Sequence, residues 1–190
     1  MQTDKSVLRG AALAYRKKLS ADQRRQYSEI VIDTLLAYLT ERPNPVRCLL
    51  AYRALPSEVN TSTLFHLSDY RIYAPVTHHR QHMEWHLVTP QTVWRKGLFG
   101  VLEPTSSVTW PGDQGSVLIC PLAAFDRQGN RLGMGLGCFD FWLSRHRNAL
   151  HRVIGLAFSG QEVARIAAEE HDAPMDAVIT EQGVIECQRR

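Results

Sequence analysis

Three glycines at alternate positions, Gly133, Gly135 and Gly137, run up to an aspartate, Asp140, in the stretch RLGMGLGCFD. Glycines in that pattern let backbone N–H groups approach an anion closely, and a helix starting just behind them adds the positive end of its dipole. The chemistry this permits is the cradling of a phosphate. A tight connection that needs positive φ angles would use the same glycines, so the spacing leaves both readings open. Arg131, just ahead of the glycines, and Lys5 and Arg9, four apart and so on one helix face, supply cations for such an anion. Lys5 and Arg9 equally suit a solvated basic face. Asp140 and Asp176 are candidate magnesium ligands, since magnesium takes one or two carboxylates and completes its shell with phosphate oxygens and water. Asp140 also reads as a helix N-cap and Asp176 as a turn residue before a strand. Glu58, in LPSEVNT, follows a short apolar run; it is either a surface turn glutamate or a group at the strand edge where open α/β sheets bind ligands.

The elements that must position these residues alternate between helix and strand. Val7, Leu8, Ala11, Ala12 and Tyr15 form one stripe of a helix over 4–18, and Ser20 with Gln23 is a capping box opening a second helix that Pro43 and Pro45 stop. VRCLLAY (46–52) reads as a buried strand, and Asn60 or Thr61 caps a helix toward Leu67. RIYAPV (71–76) and MEWHLV (83–88) read as strands, 92–99 begins as a helical or turn segment, and 101–105 is extended. The apolar run Val117 to Cys120 leads through a polar turn at 126–130 into the glycines. A helix over 139–152, a strand over 153–158, a helix over 162–170 and a last strand over 177–180 complete the chain. This order predicts an α/β single domain spanning 1–190, a largely parallel central sheet with helices on both faces.

His78, His79, His82 and His86 gather within nine residues. Strand alternation puts His82 and His86 on one face while His78 and His79 point differently, and H-E-x-x-H is absent. They read as a polar hairpin rather than a metal centre.

Composition narrows the class. The 190 residues are 44% hydrophobic and 22% charged, which argues against disorder, and the net charge of +3 is scattered, which suits small anions better than nucleic acid. Cys48, Cys120, Cys138 and Cys187 contain no C-x-x-C pair, so disulfide and zinc frameworks are not expected. With no signal-peptide core and no apolar run of about 18 residues, the expectation is a cytoplasmic protein without a membrane span.

The blocks KSVLR, LPSEVNT, FGVLEP, PLAAFDRQGNRLGMGLGCFD and MDAVITEQG resemble those of the 5-formyltetrahydrofolate cyclo-ligase family, also called 5,10-methenyltetrahydrofolate synthetases, over nearly the whole chain. The resemblance implies a sugar-isomerase/CoA-transferase-like fold and an ATP- and Mg2+-dependent closure of 5-formyltetrahydrofolate to 5,10-methenyltetrahydrofolate through a phosphorylated formyl intermediate. It implies ATP contacts from Lys5, Ser6, Val7, Leu8 and Arg9 and from Arg131, Leu132, Gly133, Met134, Gly135, Leu136, Gly137, Cys138 and Phe139. Lys5, Arg9 and Arg131 would be catalytic, Asp140 and Asp176 would bind magnesium, and Glu58 with 134–138 would hold the folate. It further implies a monomer or weak homodimer. The chain departs from the family's glycine motif at Cys138 and Phe139, where aromatic and hydroxylated residues are usual, at Phe141, where arginine is usual, and at Leu136, which is sometimes lysine. The alternative these departures raise is a non-catalytic folate- or nucleotide-binding protein of the same fold.

Overall fold

The computed structural model describes residues 4–41, 46–112, 115–169 and 172–188. Its elements in order are α1 (Lys5–Lys18), α2 (Ala21–Thr40), β1 (Cys48–Leu50), β2 (Arg71–His79), β3 (His82–Val88), β4 (Trp94–Lys96), β5 (Leu102–Pro104), β6 (Ser116–Cys120), β7 (Ala124–Phe125), β8 (Arg131–Leu132), α3 (Cys138–His146), β9 (Leu150–Leu156), β10 (Ala177–Thr180) and β11 (Gly183–Glu186). Seven strands form the main sheet in the order β11-β10-β9-β6-β1-β2-β3. The five inner strands are mutually parallel, and the β3 and β11 edges are antiparallel.

The inner strands are apolar without alternation because both faces are covered. Leu49, Val117, Ile119, Ile154 and Ile179 pack on Val31 and Leu35 of α2. Their neighbours Cys48, Leu50, Leu118, Cys120 and Val178 pack on Trp142 and Leu143 of α3 on the other side. Helices thus lie on both faces, as the alternation of elements predicts. The capping box also forms: Gln23 N–H donates to Ser20 Oγ at 3.1 Å and Ser20 N–H to Gln23 Oε1 at 2.9 Å. Pro43 and Pro45 lie outside the described residues.

Four expectations are corrected. The segment 162–170, expected as a helix, is not one over its described residues. Val163 N–H donates to Phe125 O at 2.8 Å and Ile166 N–H to the buried Asp126 carboxylate at 2.8 Å, so these donors are committed to the sheet's loops and not to a helical ladder. The helix expected over 139–152 ends at His146, a 3-10 turn follows, and β9 already begins at Leu150. The segment expected as helical or turn at 92–99 contains strand β4, paired with β5, with Trp94 edge-on to Phe65 at 5.3 Å. The helix toward Leu67 is a short 3-10 turn, Ser62–His66, entered through Asn60 Oδ1, which accepts from Ser62 N–H at 3.0 Å.

The chain lays down β1, moves outward to β2 and β3, then returns to place β6 on the other side of β1 and proceeds to β9 and β10. The carboxyl ends of β1 and β6 therefore part at a topological switch point, where an open α/β sheet leaves a crevice.

Candidate active site

That crevice holds a cavity of about 330 Å³, within the range of small-molecule sites. The loop after β1 contributes Tyr52, Arg53, Leu55 and Glu58, and the loop after β6 contributes Pro121 and Leu122. Pro75, Thr77 and Met83 of the β2–β3 hairpin close a second side, with Phe99, Val101 and Glu103. Gly133, Met134 and Leu136 to Asp140 form a third.

The glycine bend turns into α3 through residues that only glycine adopts cheaply. Gly135 and Gly137 sit at φ 91° and 73°, and Gly137 is the residue that caps α3. A Cβ built on Gly133 or Gly137 would meet nothing within 4 Å, so open space lies beside the bend and next to a helix start. Arg9 Nε donates to Gly133 O at 2.8 Å, tying the bend to α1. Lys5 lies one turn earlier, 2.7 Å from Glu169 and 3.6 Å from Asp172. Ser6, Val7 and Leu8 share this first stretch of α1; Leu8 packs with Ala12 and Leu132 while Val7 is exposed.

Arg131 is buried. Its guanidinium donates to Ala173 O at 2.8 Å and forms an ion pair with Asp140. Burial opposes the guanidinium charge, yet Cys120, Asp140 and Asp172 around it more than offset that and raise its pKa. Cys120 itself is pushed up to about 11 by burial and is a thiol at neutral pH. All four cysteines are free, as their spacing predicts.

Glu58 is nearly enclosed, with 8% of its side chain exposed. Its Oε2 accepts from Leu55 N–H at 2.8 Å, and Arg16 lies 3.8 Å from Oε1. Burial raises its pKa, and the Leu55 N–H and Arg16 only partly counter this.

Asp176 is placed elsewhere. Arg147 Nη2 holds both its oxygens at 2.8 and 2.7 Å, Val153 N–H donates to Oδ2 at 2.7 Å, and it is not among the cavity's lining residues. Asp140 lines the cavity; Asp176 enters β10 from its amino end.

Arg16, at the other end of α1 from Lys5, is the residue sequence reasoning missed. It is 1% exposed, and donates to Ser57 O at 2.9 Å, Ser57 Oγ at 2.6 Å and Leu122 O at 3.4 Å. Arg9 and Arg16 stand two turns apart on one face, so α1 is a strut joining the glycine bend to the Glu58 loop. Their spacing of seven was the available signal. Glu103 was missed too, although FGVLEP contains it. It is buried, lines the cavity and accepts from Thr77 N–H at 3.0 Å.

Fold and cavity define an α/β binding domain whose pocket, at the sheet's switch point, has apolar walls and is lined also by the enclosed carboxylates Glu58 and Glu103, the glycine bend and the Arg131–Asp140 pair. The sequence profile described as the 5-formyltetrahydrofolate cyclo-ligase family matches residues 1–181. The chain belongs to the 5-formyltetrahydrofolate cyclo-ligase family, and is a ligase of folate one-carbon metabolism, a family that uses ATP. The 5-formyltetrahydrofolate cyclo-ligase of Haemophilus influenzae is 29% identical over 167 residues, 84% of this chain and 88% of that one. The one from Mycolicibacterium smegmatis is 29% identical over 195 residues, 95% and 96% of the two chains. The solved 5,10-methenyltetrahydrofolate synthetase of Aquifex aeolicus superposes with a TM-score of 0.80 at 29% identity, over 98% of this chain and 94% of that chain. Among the described residues no helix is long and apolar enough to cross a membrane.

Proposed function

We propose that this cavity closes 5-formyltetrahydrofolate to 5,10-methenyltetrahydrofolate at the expense of ATP, with the folate against Glu58 and the triphosphate on the glycine bend. The observation that carries the assignment is that Glu58, the bend and the Arg131–Asp140 pair open on one cavity. A formamide is a poor electrophile because its nitrogen lone pair is delocalised. The formyl oxygen takes the γ-phosphoryl group as the bond to ADP breaks. The neighbouring folate nitrogen then attacks the formyl carbon and loses its proton, and phosphate leaves with the formyl oxygen. Such transfer needs positioning and charge neutralisation more than a protein nucleophile.

In this reading Lys5, Arg9 and Arg131 face the phosphates, with Ser6, Val7 and Leu8 beside them and 132–139 wrapped around the chain of phosphates. Met134 and Phe99, both partly exposed on the cavity lip, cover the folate ring system. Asp140 fits a magnesium ion as one carboxylate, the remaining positions falling to phosphate oxygens and water, and the ion would supply charge neutralisation on the triphosphate. Asp176 enters the proposal only as the carboxylate that fixes Arg147 and β9.

Purified protein given ATP, magnesium and 5-formyltetrahydrofolate is expected to develop the absorbance of the methenyl product, one ADP per turnover. Folate binding by calorimetry with no ADP release would instead assign the non-catalytic alternative. Lys5→Ala is expected to raise the KM for ATP about 10-fold while kcat changes little, since a charge-assisted contact is worth about 1.5 kcal/mol. Steady-state kinetics at varied ATP read this directly.

A further inference from the structure

The β2–β3 hairpin ends in a cluster that the folate reaction does not use. Val76 and Glu84 are paired across the two strands, and a bulge after Thr77 resets the register so that His79 faces His82. Because β2 runs on to His79, past the strand expected over 71–76, alternation from Val76 puts His78 on the Glu84 side. His78 Nε2 lies 3.0 Å from Glu84 Oε2, and His82 Nε2 lies 3.7 Å from Oε1. Ligand atoms of His78, His82 and Glu84 all fall within 4.8 Å of one another, the one such group of three among the described residues. Zinc–nitrogen and zinc–oxygen bonds near 2.0–2.1 Å set tetrahedral ligand atoms roughly 3.3 Å apart, so the observed separations straddle the value a cation would impose.

His86 supplies an independent observation. Its Nδ1 meets the carbonyl of Ser106, which can only accept, so Nδ1 carries the hydrogen. The neutral ring then presents a bare lone pair at Nε2, and that atom is buried with no hydrogen-bond partner. It faces Glu84 Oε2, another acceptor, at 3.5 Å. Two acceptors directed at one another in this way are relieved by positive charge held at Glu84.

We propose that this hairpin binds one late first-row divalent cation of the zinc, cobalt or nickel class, with His78 Nε2, His82 Nε2 and a Glu84 oxygen as ligands and water in the fourth position. His86 is a positioning residue that borders Glu84. Imidazole ligands select such ions over magnesium, which keeps the site distinct from the nucleotide rim. The hairpin's opposite face carries Thr77 and Met83 into the cavity, so a cation here fastens the strand ends that wall the folate pocket.

Chelator-treated full-length protein, without ATP or folate, is titrated with Co2+ and followed by visible absorption and calorimetry. One equivalent is expected, with the intense d–d bands of a tetrahedral site and a rise in thermal midpoint. His78→Ala and His82→Ala are each expected to weaken binding at least 10-fold. His79→Ala, a hairpin histidine outside the ligand set, is expected to leave it unchanged. The three histidines are exposed, so these variants keep the fold, which circular dichroism verifies. Absent saturable binding, or losses as large in His79→Ala as in His82→Ala, would overturn the site.

Discussion

Arg131→Ala is expected to lower kcat/KM for ATP at least 100-fold and the thermal midpoint by roughly 6–12 °C. The guanidinium is 4% exposed and is paired with Asp140 while Asp172 lies near enough to act on its charge. Breaking a buried pair by removing one partner costs about 3–5 kcal/mol, and because Asp140, the charge left unpaired here, is 32% exposed, the low end of about 3 kcal/mol applies. For a chain of this size each kcal/mol moves the midpoint about 2–4 °C. The functional loss has a separate cause. Asp140 faces the proposed phosphate site, and without Arg131 its carboxylate repels the triphosphate that it otherwise meets as half of a neutral pair. Kinetics and calorimetric ATP titration separate the two effects, and Asp140→Asn tests their connection. If Arg131 acts through the carboxylate, Arg131→Ala with Asp140→Asn binds ATP more tightly than Arg131→Ala alone when both are titrated without magnesium, which takes the metal role proposed for Asp140 out of play. A double variant no better than the single, with ATP affinity near that of the unaltered protein in both, would confine Arg131 to a structural role.

What the sequence made legible were features whose cause is local. The Ser20–Gln23 box, the apolar runs of β2, β3, β6 and β10, and the positive-φ need at Gly135 and Gly137 all follow from residues within a few positions of one another. The corrections come from long-range partners. Residues 162–169 carry helix-forming composition, yet Asp126, forty residues away from Ile166, takes the backbone N–H that a helix would have used. Leu150 has the spacing of a helical stripe, but the next strand of a parallel sheet recruits it opposite Ser116. The site followed the same rule. Glu58, Arg131 and the glycines were legible as residue types in their pattern and through the family resemblance, whereas the burial of Arg16 at the Glu58 loop depends on how α1 docks. Asp176 was legible as a carboxylate before a strand, but its engagement by Arg147 depends on where α3 ends. The His78–Glu84 approach depends on β2 running on to His79 and on its register with β3, both beyond the apolar run that marks the strand in the sequence.

Glu58→Gln is expected to weaken 5-formyltetrahydrofolate binding by about 10- to 100-fold while leaving the unliganded protein at least as stable at neutral pH. In the free protein burial raises the Glu58 pKa above 4.5, so between that ordinary value and its folded value the native state binds more protons than the unfolded chain. Stability contributed by this group is accordingly present at low pH and lost as pH rises through the window. Glutamine mimics the protonated form, keeps an oxygen for Leu55 N–H and removes that loss, while buried Arg16, 3.8 Å from Glu58, keeps its hydrogen bonds to Ser57 and Leu122. A bound pterin would do the reverse. Its N–H groups donate to the carboxylate, favour the ionised form and pull the pKa down, each charge-assisted bond contributing about 1.5–3 kcal/mol. Binding should therefore release protons when the pH lies between the bound and free pKa values, and affinity should rise with pH until Glu58 is ionised in the free protein. Calorimetry in two buffers of different ionisation enthalpy measures the released protons directly. Glu58→Gln should abolish that release, lose the pH dependence, and keep kcat at saturating folate far closer to normal than KM. If proton release survives unchanged in Glu58→Gln, the group that meets the pterin is a different one, and buried Glu103 across the cavity is the next to test.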